Sequence, residues 1–194
     1  MTSKSVLYFD LGSPYAYLAV ARAESVLGEA PELEPVLLGA IFRLRGSGSW
    51  SQTPERDRHV AEIERRAAAY GLPPIAWPSA WPADGLAAMR AATWAREQGT
   101  GAAFAHAAYR RAFAEGGDLA DLDVLAGVTR EAGLDGEAMR AAIRTGAIKA
   151  RLRAATEAAW EAGVRGVPTL AVDGALFYGD DRLEDAAAAA ARRA

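Results

Sequence analysis

The sequence has no cysteine and only two histidines, His59 and His106, in 194 residues. Without a thiol there is no disulfide framework, no dithiol redox chemistry and no thiolate metal site. Two histidines alone give no ligand cluster, so no metal is expected. Positive charge is not in excess either: with a formal net charge of −3 the chain lacks the clustered Lys and Arg that a nucleic-acid partner requires. No apolar run reaches the roughly 18 to 20 residues that span a bilayer, and the alanine-rich stretch 185–194 is short and carries Arg192 and Arg193. Residues 1–5 lead straight into a strand-like run, without the apolar segment and small-residue cleavage site of a secretory leader. A cytoplasmic protein with neither membrane nor nucleic acid as partner is the expectation.

What is present is ordinary globular material, 51% hydrophobic and 24% charged, long for one minimal domain and short for two. Residues 6–10 read as a buried strand. Pro14 then suits the first turn of a helix, with Ser13 as its N-cap, and apolar residues continue at helical spacing to Gly28. A second strand is expected over 33–38, between Pro31 and Gly39. The middle of the chain changes character. After the Gly46-Ser47-Gly48-Ser49 loop, residues 54–70 carry the charge density of an exposed helix, and 75–82 set Trp77 and Trp81 among prolines. Helical patterns recur over 86–98, 102–114, 122–132, 136–143 and 147–162, where alanine, arginine and glutamate dominate. Strand signals return over 163–172, Asp173-Gly174 is a hairpin turn, 175–178 is the returning strand, and a last helix covers 182–191. The order is βαβ, a helical block, then ββα. That is an α/β, thioredoxin-like fold whose halves, 1–42 and 163–194, flank an all-helical insertion, 43–162.

Three segments carry a more specific likeness: Phe9-Asp10-Leu11-Gly12-Ser13-Pro14-Tyr15-Ala16-Tyr17-Leu18, Gly166-Val167-Pro168-Thr169, and Phe177-Tyr178-Gly179-Asp180-Asp181-Arg182-Leu183-Glu184. With Leu37-Leu38-Gly39-Ala40-Ile41-Phe42-Arg43, they span nearly the whole chain in order. This chain resembles the family of 2-hydroxychromene-2-carboxylate isomerases and kappa-class glutathione transferases, the cysteine-free branch of the DsbA-like thioredoxin superfamily. In thioredoxin-like proteins the reactive thiol sits where Ser13 stands here. The resemblance implies a homodimer that binds glutathione and acts on a small aromatic carboxylate or another electrophile. It implies either isomerisation, with glutathione regenerated, or conjugation. A binding protein with a lost redox site is the reading from another class.

The resemblance implies that Ser13 donates a hydrogen bond to the sulfur of glutathione, and the chemistry is sufficient. A cysteine thiol of pKa near 8.5 is only about 3% thiolate at pH 7, and lowering that value by two units takes about 2.7 kcal/mol. A charge-assisted hydrogen bond supplies about 1.5 to 3 kcal/mol and a helix N-terminus roughly 0.3 to 1 more. Read without the resemblance, Ser13 is a helix cap. A serine nucleophile lacks its G-x-S-x-G elbow, and both histidines fall in surface or insertion helices. At Val167-Pro168 a trans bond is the ordinary state; the resemblance implies cis, with the Val167 backbone offered to the cysteinyl peptide as one more strand. It also implies that Gly179, Asp180 and Asp181 receive the γ-glutamyl end, Asp181 holding the amine and backbone N–H groups the carboxylate. Asp180 stands where the family commonly has a neutral residue. For the substrate, Arg43 is placed as a cation for its carboxylate, and Trp50, Trp77 and Trp81 as aromatic walls, with core packing the competing role for the tryptophans. Leu44-Arg45-Gly46-Ser47 replaces the polar asparagine often found after this strand.

Overall fold

Four strands form one mixed sheet in the order β2-β1-β3-β4; the computed structural model describes residues 5–192. β1 (Val6–Phe9) pairs in parallel with β2 (Glu32–Pro35) and antiparallel with β3 (Thr169–Val172), which turns back into β4 (Ala175–Tyr178). Parallel neighbours need a crossover, and α1 (Pro14–Leu27) provides it, ending at Gly28 in the left-handed conformation. Alternation along β1 sends Leu7 and Phe9 into the core, each contributing about 1.5 to 3 kcal/mol of burial. Asp173 and Gly174 both take positive φ, 48° and 82°, the backbone that a two-residue hairpin favours.

The helical block comprises α3 (Arg56–Ala69), α4 (Leu86–Glu97), α5 (Gly101–Tyr109), α6 (Leu122–Glu131), α7 (Gly136–Ala142) and α8 (Gly146–Glu161), close to the ranges the sequence suggests. α5 runs on as a π-helical turn, Arg110–Ala114, and a 3₁₀ turn, Asp180–Arg182, precedes α9 (Leu183–Ala191). Two expectations are corrected. β3 is shorter than 163–172, and β2 stops at Pro35, because residues 38–45 form a helix, α2 (Leu38–Arg45). Distant side chains begin that helix: the Leu37 N–H donates to Thr156 Oγ1 at 3.0 Å and the Leu38 N–H to Asp10 Oδ2 at 2.8 Å. Leu37 at the cap position offers no polar cap of its own, so the local sequence carries no start signal.

Sheet and helical block share one core. α4, α5 and α8 pack on β2, while α9 packs on α1, β3 and β4. A boundary between residues 42 and 43 falls inside α2. Among the described residues, no helix is long and apolar enough to cross a membrane.

Candidate active site

Asp10 builds the turn between β1 and α1. Its carbonyl accepts from the Ser13 N–H and from the Tyr109 hydroxyl, each at 2.9 Å, and its carboxylate accepts from the N–H groups of Gly12 and Leu38, each at 2.8 Å. The Trp81 indole N–H donates to the Gly12 carbonyl at 3.1 Å. These bonds tie the turn to α2, α5 and the proline-rich loop at once. Burial pushes the Asp10 carboxyl above its ordinary 3.8, and the two N–H donors pull it back only in part. A raised folded-state value means that the stability present below the ordinary carboxylate pKa is lost as pH rises through the folded one. Asp10→Asn removes that titration. Urea unfolding between about pH 3.5 and 7 is therefore expected to show the variant gaining on the wild type as pH rises; the opposite trend would contradict the dominance of burial.

Ser13 completes the turn. It caps α1 with φ −94° and ψ 112°, its Oγ accepting from the Ala16 N–H at 3.3 Å, with Pro14 in the first turn. That bond uses a lone pair; the hydroxyl hydrogen has no acceptor among the described residues. Ser13 lines a cleft of about 470 Å³ together with Val167, Pro168, Gly179, Asp180 and Asp181, so three segments far apart in sequence meet there. The Val167–Pro168 bond is cis. Val167 is 5% exposed, and neither its N–H nor its C=O enters a backbone hydrogen bond among the described residues; buried peptide groups are rarely left so.

Gly179 takes φ 114° and ψ 150°, a region that essentially only glycine occupies, and a Cβ there would collide with the Asp181 carboxylate. Gly179→Ala is expected to destabilise the fold by about 1 to 3 kcal/mol, read as a lower urea midpoint; an unchanged midpoint would show that the segment relaxes freely.

Asp180 is committed internally. At 1% exposed, it accepts from Arg66 Nη1 at 2.8 Å and from the Tyr70 hydroxyl at 2.9 Å. Burial raises its carboxyl above the ordinary value while Arg66 and Tyr70 draw it back. Arg66 also pairs with Glu62 at 2.6 Å and Asp181 at 3.2 Å. Burial opposes the guanidinium charge, but Glu62, Asp180 and Asp181 more than restore it and raise its pKa. The Asp180 side chain thus anchors Arg66, and Asp181, 53% exposed, is the carboxylate open to the cleft.

Arg43, Trp77 and Trp81 are not brought to this cleft. Arg43 points into a different one, and Arg45 stands in the Ser13 cleft instead. On a strand two residues apart share a face; in α2, at about 100° per residue, they do not. The Trp77 indole donates to Glu64 at 2.8 Å. Trp81 backs Trp50 with ring centroids 5.5 Å apart, and Trp50 forms the aromatic wall.

The sequence reading missed Tyr15, His59 and Arg66, all of which line the cleft. Burial and the nearby Glu62 hold the Tyr15 phenol up to about 12, and its hydroxyl shares a hydrogen bond with His59 Nδ1 at 2.7 Å. The other ring nitrogen, Nε2, lies 3.7 Å from Glu55 Oε2. The available signal was the spacing of His59, Glu62 and Arg66, which places them on one face of α3.

Residues 6–191 match the DsbA-like thioredoxin domain. The chain is 32% identical over 190 residues to a 2-hydroxychromene-2-carboxylate isomerase of Sphingobium xenophagum, covering 95% of this chain and 96% of that protein. Its fold is similar to that of a solved 2-hydroxychromene-2-carboxylate isomerase, with TM-score 0.88 at 23% identity over 98% of this chain and 96% of the other. It is also similar to cytosolic disulfide reductase DsbM from Pseudomonas aeruginosa, solved with GSH, with TM-score 0.64 at 23% identity over 98% of each chain. The chain belongs to the DsbA-like thioredoxin-domain family, within the branch of 2-hydroxychromene-2-carboxylate isomerases.

Proposed function

We propose that the protein is a glutathione-dependent isomerase acting on an aromatic carboxylate of the 2-hydroxychromene-2-carboxylate type. One observation carries this reading: a single cleft presents a serine hydroxyl hydrogen and the Val167 peptide groups, both without a partner among the described residues, and the half-exposed Asp181 carboxylate, paired on one side with Arg66. Those groups correspond to the thiolate, the cysteinyl backbone and the γ-glutamyl ammonium of glutathione. The N–H groups of Asp180 and Asp181 enter no backbone hydrogen bond among the described residues and suit the γ-glutamyl carboxylate. The isomerase relative and the GSH-containing structure of DsbM support the same reading.

Bound glutathione would supply a thiolate that adds to the conjugated substrate and leaves again after bond rotation, so one molecule suffices. Ser13 holds that thiolate by donating its hydroxyl hydrogen, with the N-terminus of α1 behind it. Trp50, backed by Trp81, offers a ring face to the substrate. Arg45 supplies the cation for its carboxylate; its Nε and Nη1 are held by Ser47 Oγ at 2.9 Å and the Arg165 carbonyl at 3.2 Å, which leaves Nη2.

Incubation with 2-hydroxychromene-2-carboxylate and a catalytic amount of glutathione tests the proposal. The expected result is isomer interconversion with all glutathione recovered. Absence of calorimetric binding at millimolar glutathione, or accumulation of a thioether product, would overturn it.

A further inference from the structure

Charges elsewhere on this protein are mostly paired: Arg22, Arg66, Arg96, Arg110, Arg140 and Arg151 each meet a carboxylate. A cleft of about 450 Å³ between α2, the first turns of α4 and α8 breaks that pattern. Arg43, Arg90, Lys149 and Arg153 line it against a single Glu157. Among the described residues, none of the four cations has a carboxylate at ion-pairing distance. Lys149 and Arg153 stand one turn apart on α8, a spacing at which like charges destabilise a helix. The floor between them is apolar, formed by the buried Leu152 with Leu86. A protein of net charge −3 therefore concentrates unpaired cations around a hydrophobic surface.

The chemistry of this cleft selects its occupant. A guanidinium fork matches a planar carboxylate through two parallel hydrogen bonds, and a flat ring covers an apolar floor that a small hydrated anion would leave in water. A neutral ring would leave the cations unanswered. We propose that this cleft is a second ligand site, separate from the Ser13 cleft, that binds an aromatic acid with its ring on Leu86 and Leu152 and its carboxylate among Arg43, Arg90 and Arg153. α2 divides the two sites, with Arg43 and Leu44 on this side and Phe42 and Arg45 on the other. The proposal stands whether or not the Ser13 cleft takes glutathione.

Isothermal titration of the full chain with 2-naphthoate tests it. One equivalent is expected to bind in this cleft, weakened at least tenfold in Arg90→Gln/Arg153→Gln. It should be unchanged in Arg151→Gln, which lies on the same helix but pairs with Glu97; an equivalent taken up by the Ser13 cleft responds to Arg45→Gln instead. 2-Naphthol and inorganic phosphate should each bind at least tenfold more weakly than 2-naphthoate. If the double variant does not fold, the single substitutions are each expected to weaken binding at least threefold. No binding to the wild type, equal binding to the Arg90 and Arg153 variants, loss of all binding in Arg45→Gln, or equal affinity for 2-naphthol or phosphate would each overturn the proposal.

Discussion

Ser13→Ala is expected to lower kcat/KM for glutathione-dependent isomerisation between about tenfold and 150-fold, the kinetic equivalent of a charge-assisted hydrogen bond of about 1.5 to 3 kcal/mol. The loss follows from how the hydroxyl is divided. Its oxygen accepts from the Ala16 N–H, while its hydrogen has no acceptor among the described residues, and Ser13 lines the cleft. Removing the side chain also removes a helix cap, which costs about 0.5 to 2 kcal/mol of stability. The two effects separate by substitution. Ser13→Thr keeps cap and donor and should retain most of the activity; Ser13→Asp keeps the cap but sets a negative charge against the thiolate. If Ser13→Asp were as active as the wild type, the hydroxyl would have no part in holding the sulfur.

Arg66→Met is expected to produce the largest loss of stability, about 3 to 5 kcal/mol, the range for breaking a buried ion pair by removing one partner. The guanidinium is the common partner of Glu62, Asp180 and Asp181. Without it, Asp180, at 1% exposed, keeps only the Tyr70 hydroxyl, with two further carboxylates beside it. Arg66 retains some solvent contact, so a value near the lower end is expected. Arg66→Met/Asp180→Asn removes the stranded charge and leaves an amide that can still accept from Tyr70. It should recover at least half of the loss in urea unfolding. A double variant as unstable as Arg66→Met alone would show that packing of the arginine stem, and not its charge, is what matters.

Features with local signatures were legible in the sequence. Ser13-Pro14 announces a helix start, Asp173-Gly174 a hairpin turn, and the run of alanine, arginine and glutamate a helical block; each depends on residues within a few positions of one another. What escaped depends on residues far apart in sequence. α2 begins where Thr156 and Asp10 receive the Leu37 and Leu38 N–H groups, and without that helix Arg43 was placed where Arg45 stands. The charged face of α3 reads as a solvated surface until Asp180 is brought against Arg66 across 114 residues of chain. Asp180 itself looked like a ligand residue because its burial by Arg66 and Tyr70 has no local signal. The tryptophans were legible as aromatic walls only as a class; Trp50 lines the cleft, while Trp81 stands behind it and holds the Gly12 carbonyl.

The central proposal, that Ser13 holds the thiolate of bound glutathione, is tested most directly by titrating the thiolate absorbance near 240 nm of the saturated complex against pH. In the wild type the bound thiol should be half ionised about one to two units below the ordinary value of about 8.5, and Ser13→Ala should return it close to that value. A wild-type complex that shows no thiolate at pH 7, or one whose titration is unmoved by Ser13→Ala, would contradict it.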